Sequence, residues 1–155
     1  MSIRLTAFWF EAAIGNGQAS HRPIGAGGTD RRDAMSKRIL VVEDQEDNRR
    51  IMRDLLSASG YAYIEATTGD EGLAAAQREK PDLILMDIQL PGMDGYEATR
   101  RIKADAALKH IPIIVVTSYA LSGDEDKARA AGCDAYIAKP FSPRQLLAKV
   151  REILG

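Results

Sequence analysis

The sequence DLILM at Asp82–Met86 decides the fold, because it is too short for a helix and is apolar along nearly its whole length. Two further runs share this pattern, Arg38–Val42 (RILVV) and Ile111–Val116 (IPIIVV). Strands of a parallel sheet are buried on both faces and therefore have continuous apolar sequences of this kind. We predict that these three runs are parallel strands, and that Tyr61–Ala66 and Ala135–Ala138 are two weaker ones.

Helical patterns lie between the predicted strands. Each has an apolar face, an N-cap residue or a terminating glycine. The predicted helices are 46–59, 70–79, 95–105, a segment opened by Ser122 and closed by Gly132, and a last helix that begins at Ser142 and Pro143. This alternation predicts an α/β fold, a doubly wound (βα)5 sandwich of the flavodoxin-like kind, with the parallel strand order 2-1-3-4-5.

Composition and charge exclude several classes of protein. The chain has 155 residues, of which 45% are hydrophobic, and its net charge is −1. Such a chain buries a real core, and its charge gives no footprint for general binding to nucleic acid or to a membrane surface. A single cysteine excludes an internal disulfide. No apolar run approaches the ~18 residues of a membrane span. We therefore expect a cytoplasmic protein without nucleic-acid or membrane partners.

The N-terminal segment differs from the rest of the chain. Residues 1–35 contain 5 of the 13 glycines and have no regular apolar pattern over most of their length. We predict that residues 1–35 are a disordered or loosely attached extension, and that residues 36–155 form the folded domain. Three interpretations of the extension stay open: a tail without function, a short helix within Ile3–Ile14 that docks on a partner, and a true start at Met35.

Charged and hydroxyl side chains follow four of the predicted strands. Glu43 and Asp44 come after the first strand, Asp87 after the third, Thr117 after the fourth and Lys139 after the fifth. Because ligands of doubly wound sheets bind beyond the carboxyl ends of the strands, we expect these side chains to share one cleft. Crowded carboxylates repel one another and raise their pKa values, which a hard cation such as Mg²⁺ relieves. The set suits phosphoryl transfer, in which a carboxylate can be the nucleophile.

Four stretches of the chain resemble the receiver domains of two-component response regulators. They are ILVVEDQEDN, DLILMDIQLPGMDG, IPIIVVTSYA and CDAYIAKPFS, and the resemblance extends over residues 37–155. The pattern is similar to single-domain regulators of the DivK-like or CheY-like kind. It implies a phosphoprotein of a two-component system or phosphorelay, which takes a phosphoryl group from a sensor histidine kinase or a histidine phosphotransfer protein. It also implies a conformational switch on the face formed by helix 4, strand 5 and helix 5.

The resemblance carries over to individual residues of the predicted cleft. Asp87 resembles the phosphoacceptor. Asp44 resembles the direct Mg²⁺ ligand, Glu43 its acidic neighbour that acts mainly through water, and the backbone carbonyl of Gln89 a further protein ligand. Glu43 replaces the aspartate that is commoner in the family. The resemblance also implies a cis peptide bond at Lys139–Pro140.

Further positions match the residues that handle the phosphoryl group. Thr117 and Lys139 resemble the residues that hold its oxygens, and Thr117 with Tyr136 resembles the switch pair. Gln89 and Tyr119 stand where the family tunes dephosphorylation. The resemblance implies that the chain catalyses only its own phosphorylation and dephosphorylation and is not otherwise an enzyme.

Three other functions compete with this one. A Mg-dependent phosphatase of the haloacid dehalogenase type also uses an aspartate nucleophile, but it needs an acid–base aspartate where this chain has Gln89. A flavodoxin-like cofactor carrier needs a phosphate cradle after strand 1, where Glu43 and Asp44 would repel a phosphate. A transcription factor needs a DNA-binding domain, and we expect none because the sequence given ends with the fifth helix.

The output of the protein stays open within the family. A phosphorelay shuttle, a diffusible signal that binds a target, and an allosteric regulator of a kinase all fit the sequence. Arg49, Arg50 and Arg53 lie opposite or beside the apolar face of the first helix. They form either a solvated helix face or a basic stripe that steers an acidic partner.

Overall fold

The structure, a computed structural model, describes residues 36–118 and 123–155. Strands and helices alternate there in the order β1 (Arg38–Val42), α1 (Glu46–Ala58), β2 (Ala62–Ala66), α2 (Gly69–Glu79), β3 (Leu83–Asp87), α3 (Gly95–Ala104), β4 (Ile113–Thr117), α4 (Asp124–Ala130), β5 (Ala135–Ala138) and α5 (Pro143–Leu154). All strand pairs are parallel, and the sheet order is β2-β1-β3-β4-β5, as predicted.

The predicted N-terminal extension, residues 1–35, lies outside the described residues. Its boundary with the folded domain therefore stays a prediction. Among the helices that the structure describes, none is both long enough and apolar enough to span a bilayer.

Helices cover both faces of the sheet. Helices α2, α3 and α4 pack on one face, and α1 and α5 pack on the other. Alternate residues of β3 serve the two cores: Ile84 and Met86 face α2–α4, whereas Leu83 and Leu85 face α1 and α5. Every residue of β3 and β4 is buried. Since each fully buried aliphatic side chain contributes about 1.5–3 kcal/mol, the central strands fix the positions of the residues at their ends.

Strand β3 begins and ends one residue later than predicted, at Leu83–Asp87 rather than 82–86. The Asp82 carboxylate accepts a hydrogen bond from the Arg38 backbone N–H (2.8 Å), and the Asp82 N–H donates to the Arg38 carbonyl (2.8 Å), so Asp82 pairs with the start of β1 just before β3 begins. The shift makes Asp87 the last residue of the strand. Its backbone is therefore held by the sheet, while its side chain lies at the carboxyl edge.

Strand β4 is also displaced along the sequence, to Ile113–Thr117 rather than 111–116. Pro112 has no N–H to donate to the ladder, so the strand begins after it. The first N–H of the strand, on Ile113, donates to the Asp134 carboxylate (2.8 Å). Thr117, a β-branched residue that suits a strand, is consequently the last residue of β4.

The helices agree with their predicted bounds to one residue, except for α4. The side chains of Thr68, Asp94 and Ser142 each accept a hydrogen bond from the backbone N–H three residues later, as their sequence spacing predicts. In α4 the N-cap position is taken by Gly123, which has no side chain to accept such a bond, rather than by Ser122. Ser122 itself lies outside the described residues.

Candidate functional site

Three carboxylates meet at the carboxyl edge of the sheet. Glu43, Asp44 and Asp87 each offer an oxygen that lies within 4.8 Å of the others. Glu43 follows β1 and is fully buried. Its backbone N–H continues the ladder by donating to the Ala66 carbonyl (3.0 Å). Asp87 ends β3 with only 4% of its surface exposed, whereas Asp44 is exposed. The strand ends therefore bring these carboxylates into one cleft.

One lysine faces this acidic cluster. Lys139 Nζ lies 3.0 Å from Glu43 Oε1 and 3.6 Å from Asp87 Oδ1. Its backbone N–H donates to the Thr117 carbonyl (2.6 Å), and its peptide bond to Pro140 is cis, as the resemblance implied. Because a single ammonium is shared between two buried carboxylates, the cluster keeps an excess of negative charge.

The buried position of the Asp87 carboxylate disfavours its charged form. Burial, together with the negative charge of Glu43, raises its pKa from the ordinary value of 3.8 to about 6, although Lys139 and the Gln89 backbone N–H act in the opposite direction. Asp87 Oδ1 is buried and makes no hydrogen bond within the described residues. Buried polar atoms are rarely left in this state. Among the described residues Ser59 Oγ and Thr99 Oγ1 share it, but only Asp87 Oδ1 belongs to the acidic cluster.

The donor set fits a hard divalent cation. Mg²⁺ takes carboxylate and carbonyl oxygens and usually keeps several waters. Asp44 is exposed, Asp87 Oδ1 lacks a hydrogen-bond partner within the described residues, and the oxygens of both lie close to Glu43. Gln89, whose backbone carbonyl was predicted as a ligand, lies on the loop that follows β3. A divalent cation in this cleft would offset the repulsion that raises the pKa of Asp87.

The two residues of the predicted switch share one face of the sheet. Thr117 ends β4, is 1% exposed, and follows Ile113 and Val115 in the alternation that points toward α2–α4. Tyr136 of β5 packs against the same core and is half-buried. The predicted tuning residue Tyr119 lies outside the described residues, and its partner in that prediction, Gln89, is exposed.

Sequence reasoning missed the role of Gly95. A Cβ atom at this position would lie 2.1 Å from the Asp87 carbonyl oxygen and 2.8 Å from the Ile88 Cα. The Gly95 N–H also donates to the Ile88 carbonyl (2.9 Å), so α3 begins in direct contact with the backbone that carries Asp87. The available signal was a glycine at the first position of a helix, where it is otherwise a poor helix former.

The arginines of α1 are paired with acidic side chains. Arg49 and Arg53 both bind the Glu65 carboxylate of β2, at 3.3 and 3.1 Å, and Arg50 binds Asp47 at 3.2 Å. Because Arg49 and Arg53 share one carboxylate, Glu65 offsets only part of their positive charge. The choice between a solvated helix face and a basic stripe that steers an acidic partner therefore stays a prediction.

An apolar groove lies beside the acidic cluster, between α1 and α5. It has a volume of about 440 Å³, and Lys139 is one of the residues that line it. Its apolar lining comes from α1, the loop after β5 and the start of α5: Ile51, Met52, Leu55, Pro140, Phe141, Pro143 and Leu146.

Known proteins share both the sequence and the fold. The family model described as the response regulator receiver domain matches residues 39–151. The polar-differentiation response regulators DivK of Brucella ovis and of Brucella abortus are each 47% identical to this chain over 121 residues, which cover 78% of this chain and 98% of the relative. Neither finding supports the phosphatase alternative.

Solved receiver domains superpose on the fold. One is the receiver domain of a sensor histidine kinase from Pseudomonas aeruginosa, with a magnesium ion coordinated in its active site cleft (TM-score 0.72, 36% identity, 76% of this chain and 97% of that chain). Another is a CheY-like receiver domain from Methanospirillum hungatei (TM-score 0.71, 38% identity, 76% of this chain and 92% of that chain). Because these matches cover nearly all of each relative and most of this chain, the protein belongs to the response regulator receiver domain family and is similar to DivK.

Proposed function

We propose that Asp87 is the phosphoacceptor of this receiver domain and takes a phosphoryl group from the phosphohistidine of a sensor histidine kinase or a histidine phosphotransfer protein. The observation that carries the proposal is the state of the Asp87 carboxylate. It is buried at the end of β3, lies 3.6 Å from Lys139, and has an oxygen that makes no hydrogen bond within the described residues. A nucleophile must keep such an oxygen available.

The transfer requires positioning and charge neutralisation from the protein. An Asp87 carboxylate oxygen attacks the phosphorus atom, and the P–N bond of the phosphohistidine breaks. The electron pair of that bond stays on the imidazole, which takes a proton from solvent, and Asp87 becomes an acyl phosphate. Lys139 donates from its ammonium to a phosphoryl oxygen, for which its position between Glu43 and Asp87 prepares it. The Thr117 hydroxyl donates to a second oxygen.

Four groups would hold Mg²⁺: the side chains of Glu43, Asp44 and Asp87 and the backbone carbonyl of Gln89. When bound, the ion supplies positive charge that offsets the negative charge on the transferred group. Glu43 is already engaged, because its Oε1 binds Lys139 (3.0 Å) and its Oε2 accepts the Gln45 N–H (3.1 Å). We therefore assign Glu43 mainly a water-mediated role, and Asp44 and Asp87 the direct contacts.

The apolar groove between α1 and α5 supports a protein partner as phosphodonor. It opens beside Lys139, so a helix seated in it would bring a phosphohistidine to the mouth of the cleft. Apolar anchors in a groove are a common way to bind one face of an amphipathic helix. A small-molecule phosphodonor needs no such surface.

The switch would carry the phosphorylation signal out of the cleft. The phosphoryl group brings about −1.5 to −2 charges and strong acceptor oxygens, toward which the Thr117 hydroxyl moves. Tyr136 then turns inward and changes the face formed by α4, β5 and α5. A polar pocket of about 170 Å³ lies on this face, lined by Tyr136, Arg129 and Lys149 among others. Thr117 is the positioning element of this change, and Tyr136 its visible output.

The remaining parts of the proposal concern the whole chain. The protein acts in the cytoplasm, catalyses only its own phosphorylation and dephosphorylation, and has its receiver domain at residues 36–155. Gln89 and Tyr119 set the lifetime of the phosphorylated state. A phosphatase of the haloacid dehalogenase type is not favoured, because the amide of Gln89 supplies no proton where that chemistry needs an acid.

Phosphorylation of the full chain by acetyl phosphate tests the proposed function. With Mg²⁺ present, intact-mass spectrometry should show one added phosphoryl group on the wild-type chain and none on Asp87→Asn. Ser118→Ala, which removes an exposed hydroxyl next to Thr117, serves as the matched control and should still be labelled. A labelled Asp87→Asn chain, or a label that disappears with Ser118→Ala, would overturn the assignment.

The partner proposal has its own test. Ile51→Glu, in the groove but outside the acidic cluster, should slow transfer from a phosphorylated histidine phosphotransfer protein at least tenfold. The same variant should react with acetyl phosphate at the wild-type rate, since that donor does not use the groove. Equal slowing with both donors would show that the substitution damages the cleft and would remove the support for a docking groove.

A further inference from the structure

The guanidinium of Arg49 lies behind the acidic turn formed by Glu43 and Asp44. Its Nη1 donates to the backbone carbonyls of both residues, at 2.9 and 3.2 Å. Its Nε binds Glu65 Oε1 at 3.3 Å, and only 15% of the side chain is exposed. Arg49 thus connects three elements. It belongs to α1, it binds Glu65 of β2, and it hydrogen-bonds the turn that follows β1.

These contacts leave the carboxylates of the turn available. Arg49 hydrogen-bonds the main chain of Glu43 and Asp44, whereas the carboxylate of each offers one oxygen within 4.8 Å of an Asp87 oxygen. An arginine fork can hold two neighbouring acceptors and a carboxylate at the same time because its donors are fixed in one plane. Its positive charge also lowers the local cost of gathering like charges on one turn.

We infer that Arg49 is a positioning residue for metal binding, which holds the Glu43–Asp44 turn in the geometry that the cation requires. Glu65 in turn fixes the plane of the Arg49 guanidinium. The inference rests on the proposed Mg²⁺ site but adds a residue that touches neither the metal ligands' carboxylate oxygens nor the reacting group. Groups that orient metal ligands typically change affinity by about 10–100-fold when removed.

The chain offers two matched controls on the same helix. Arg53 binds the other oxygen of Glu65 (3.1 Å) but makes no hydrogen bond to the acidic turn within the described residues. Arg50 binds only Asp47 there, and about half of its side chain is exposed. Arg53→Ala therefore removes a pair with the same carboxylate without releasing the turn, and Arg50→Ala removes a surface pair alone.

A titration of the full chain with MgCl₂ alone, followed by amide NMR shifts of Asp87 and Gln89, measures the effect without any phosphodonor. We expect Arg49→Ala to raise the Kd for Mg²⁺ about tenfold. Arg49→Lys, which keeps the charge but offers one donor group instead of a fork, should lie between wild type and Arg49→Ala. Arg50→Ala, which removes an exposed pair, and Arg53→Ala, which removes a half-buried pair away from the turn, should stay within about twofold of wild type. If Arg49→Ala does not fold, Arg49→Lys carries the comparison.

The outcomes distinguish the proposed Mg²⁺ site from the positioning role of Arg49. A wild-type chain that binds no Mg²⁺ would overturn the proposed metal site itself. If the wild-type chain binds Mg²⁺ and both Arg49→Lys and Arg49→Ala bind it with the wild-type Kd, the positioning role is overturned. The proposed metal site is then unaffected. Weakening by Arg53→Ala equal to that of Arg49→Ala would also overturn the positioning role, because loss of the link to β2 would then be the cause.

Discussion

The two edges of the sheet hold their acidic side chains in opposite ways. At the amino edge, the Asp134 carboxylate accepts hydrogen bonds from the Ile113 backbone N–H (2.8 Å) and the Lys103 ammonium (2.9 Å). At the carboxyl edge, Asp87 shares one lysine with Glu43, and its Oδ1 makes no hydrogen bond within the described residues. The same functional group is satisfied at one edge and left electrostatically strained at the other.

The difference separates an edge that stabilises the fold from an edge that is prepared for chemistry. A carboxylate that accepts two hydrogen bonds, one of them from a cation, stabilises the strands that it joins. A carboxylate that is buried beside another carboxylate destabilises the fold, yet it is ready to receive a cation or a phosphoryl group. The buried strands β3 and β4 connect the two edges and tolerate the strain of the second.

The largest expected effect comes from the backbone geometry of the carboxyl edge. Gly95→Ala places a Cβ atom 2.1 Å from the Asp87 carbonyl oxygen, so either α3 or the end of β3 must move. We expect a loss of about 3 kcal/mol in the free energy of unfolding, measured by urea titration with far-UV circular dichroism. Gly60→Ala is the control: it strains a positive φ of 91° but meets no atom within 4 Å. Its expected loss is about 1 kcal/mol, and equal losses would show that no clash exists at Gly95.

At the amino edge, Asp134→Ala should cost about 2 kcal/mol of unfolding free energy. The substitution leaves the buried Ile113 N–H without its acceptor, and an unsatisfied buried donor costs about 1–3 kcal/mol. Lys103 loses only one of its partners, because its ammonium also donates to the Lys109 and Ile111 carbonyls. The same urea titration measures the loss. A neutral or stabilising effect would mean that the amino edge does not hold the strands together.

Mg²⁺ should reduce the electrostatic strain at the carboxyl edge. A ligand that binds only the folded state at tenfold its Kd adds about 1.4 kcal/mol to the unfolding free energy. We expect this gain for the wild-type chain and little gain for Asp44→Asn, whose exposed carboxylate is a proposed direct ligand. Urea titrations with MgCl₂ and with EDTA measure it. An unchanged gain in Asp44→Asn would place the cation elsewhere.

The smallest expected effect belongs to neither edge. Arg129 and Glu125 form an exposed i,i+4 pair on α4, with more than half of each side chain exposed. Glu125→Gln should change the unfolding free energy by about 0.5 kcal/mol or less. A loss above about 1 kcal/mol in the thermal or urea transition would show that exposed pairs matter as much here as the satisfied edge, against the usual small value of such pairs.

Much of the fold follows from sequence pattern alone. The continuous apolar runs of β1, β3 and β4 identified parallel strands, and the N-cap residues Thr68, Asp94 and Ser142 marked three helix starts. Because parallel strands end at a common edge, the acidic cluster followed from the strand order without any distance. These features depend on neighbours in sequence or on topology, which is why they were accessible.

Other features depend on which atoms meet, and the sequence does not contain that information. The two alternatives predicted for the arginines of α1 did not include the carboxylate of Glu65, which Arg49 and Arg53 share across a gap of 12 to 16 residues. The clash that a side chain at Gly95 would cause depends on backbone approach alone. Asp87 Oδ1 stays without a hydrogen bond because Lys139 Nζ lies nearer to Glu43 (3.0 Å) than to Asp87 (3.6 Å).

The pH dependence of stability tests the central claim most directly, that the carboxyl edge holds Asp87 at an electrostatic cost. The pKa of Asp87 is raised from 3.8 to about 6 in the folded chain, so losing its proton between these values is unfavourable only when the chain is folded. The unfolding free energy of the wild-type chain in EDTA should therefore fall, relative to that of Asp87→Asn, as the pH rises through this interval. We predict that Asp87→Asn is more stable by about 3 kcal/mol at pH 8, and that the difference vanishes below about pH 4. A wild-type chain that is as stable as Asp87→Asn at pH 8, or a difference that does not change with pH, would contradict the account.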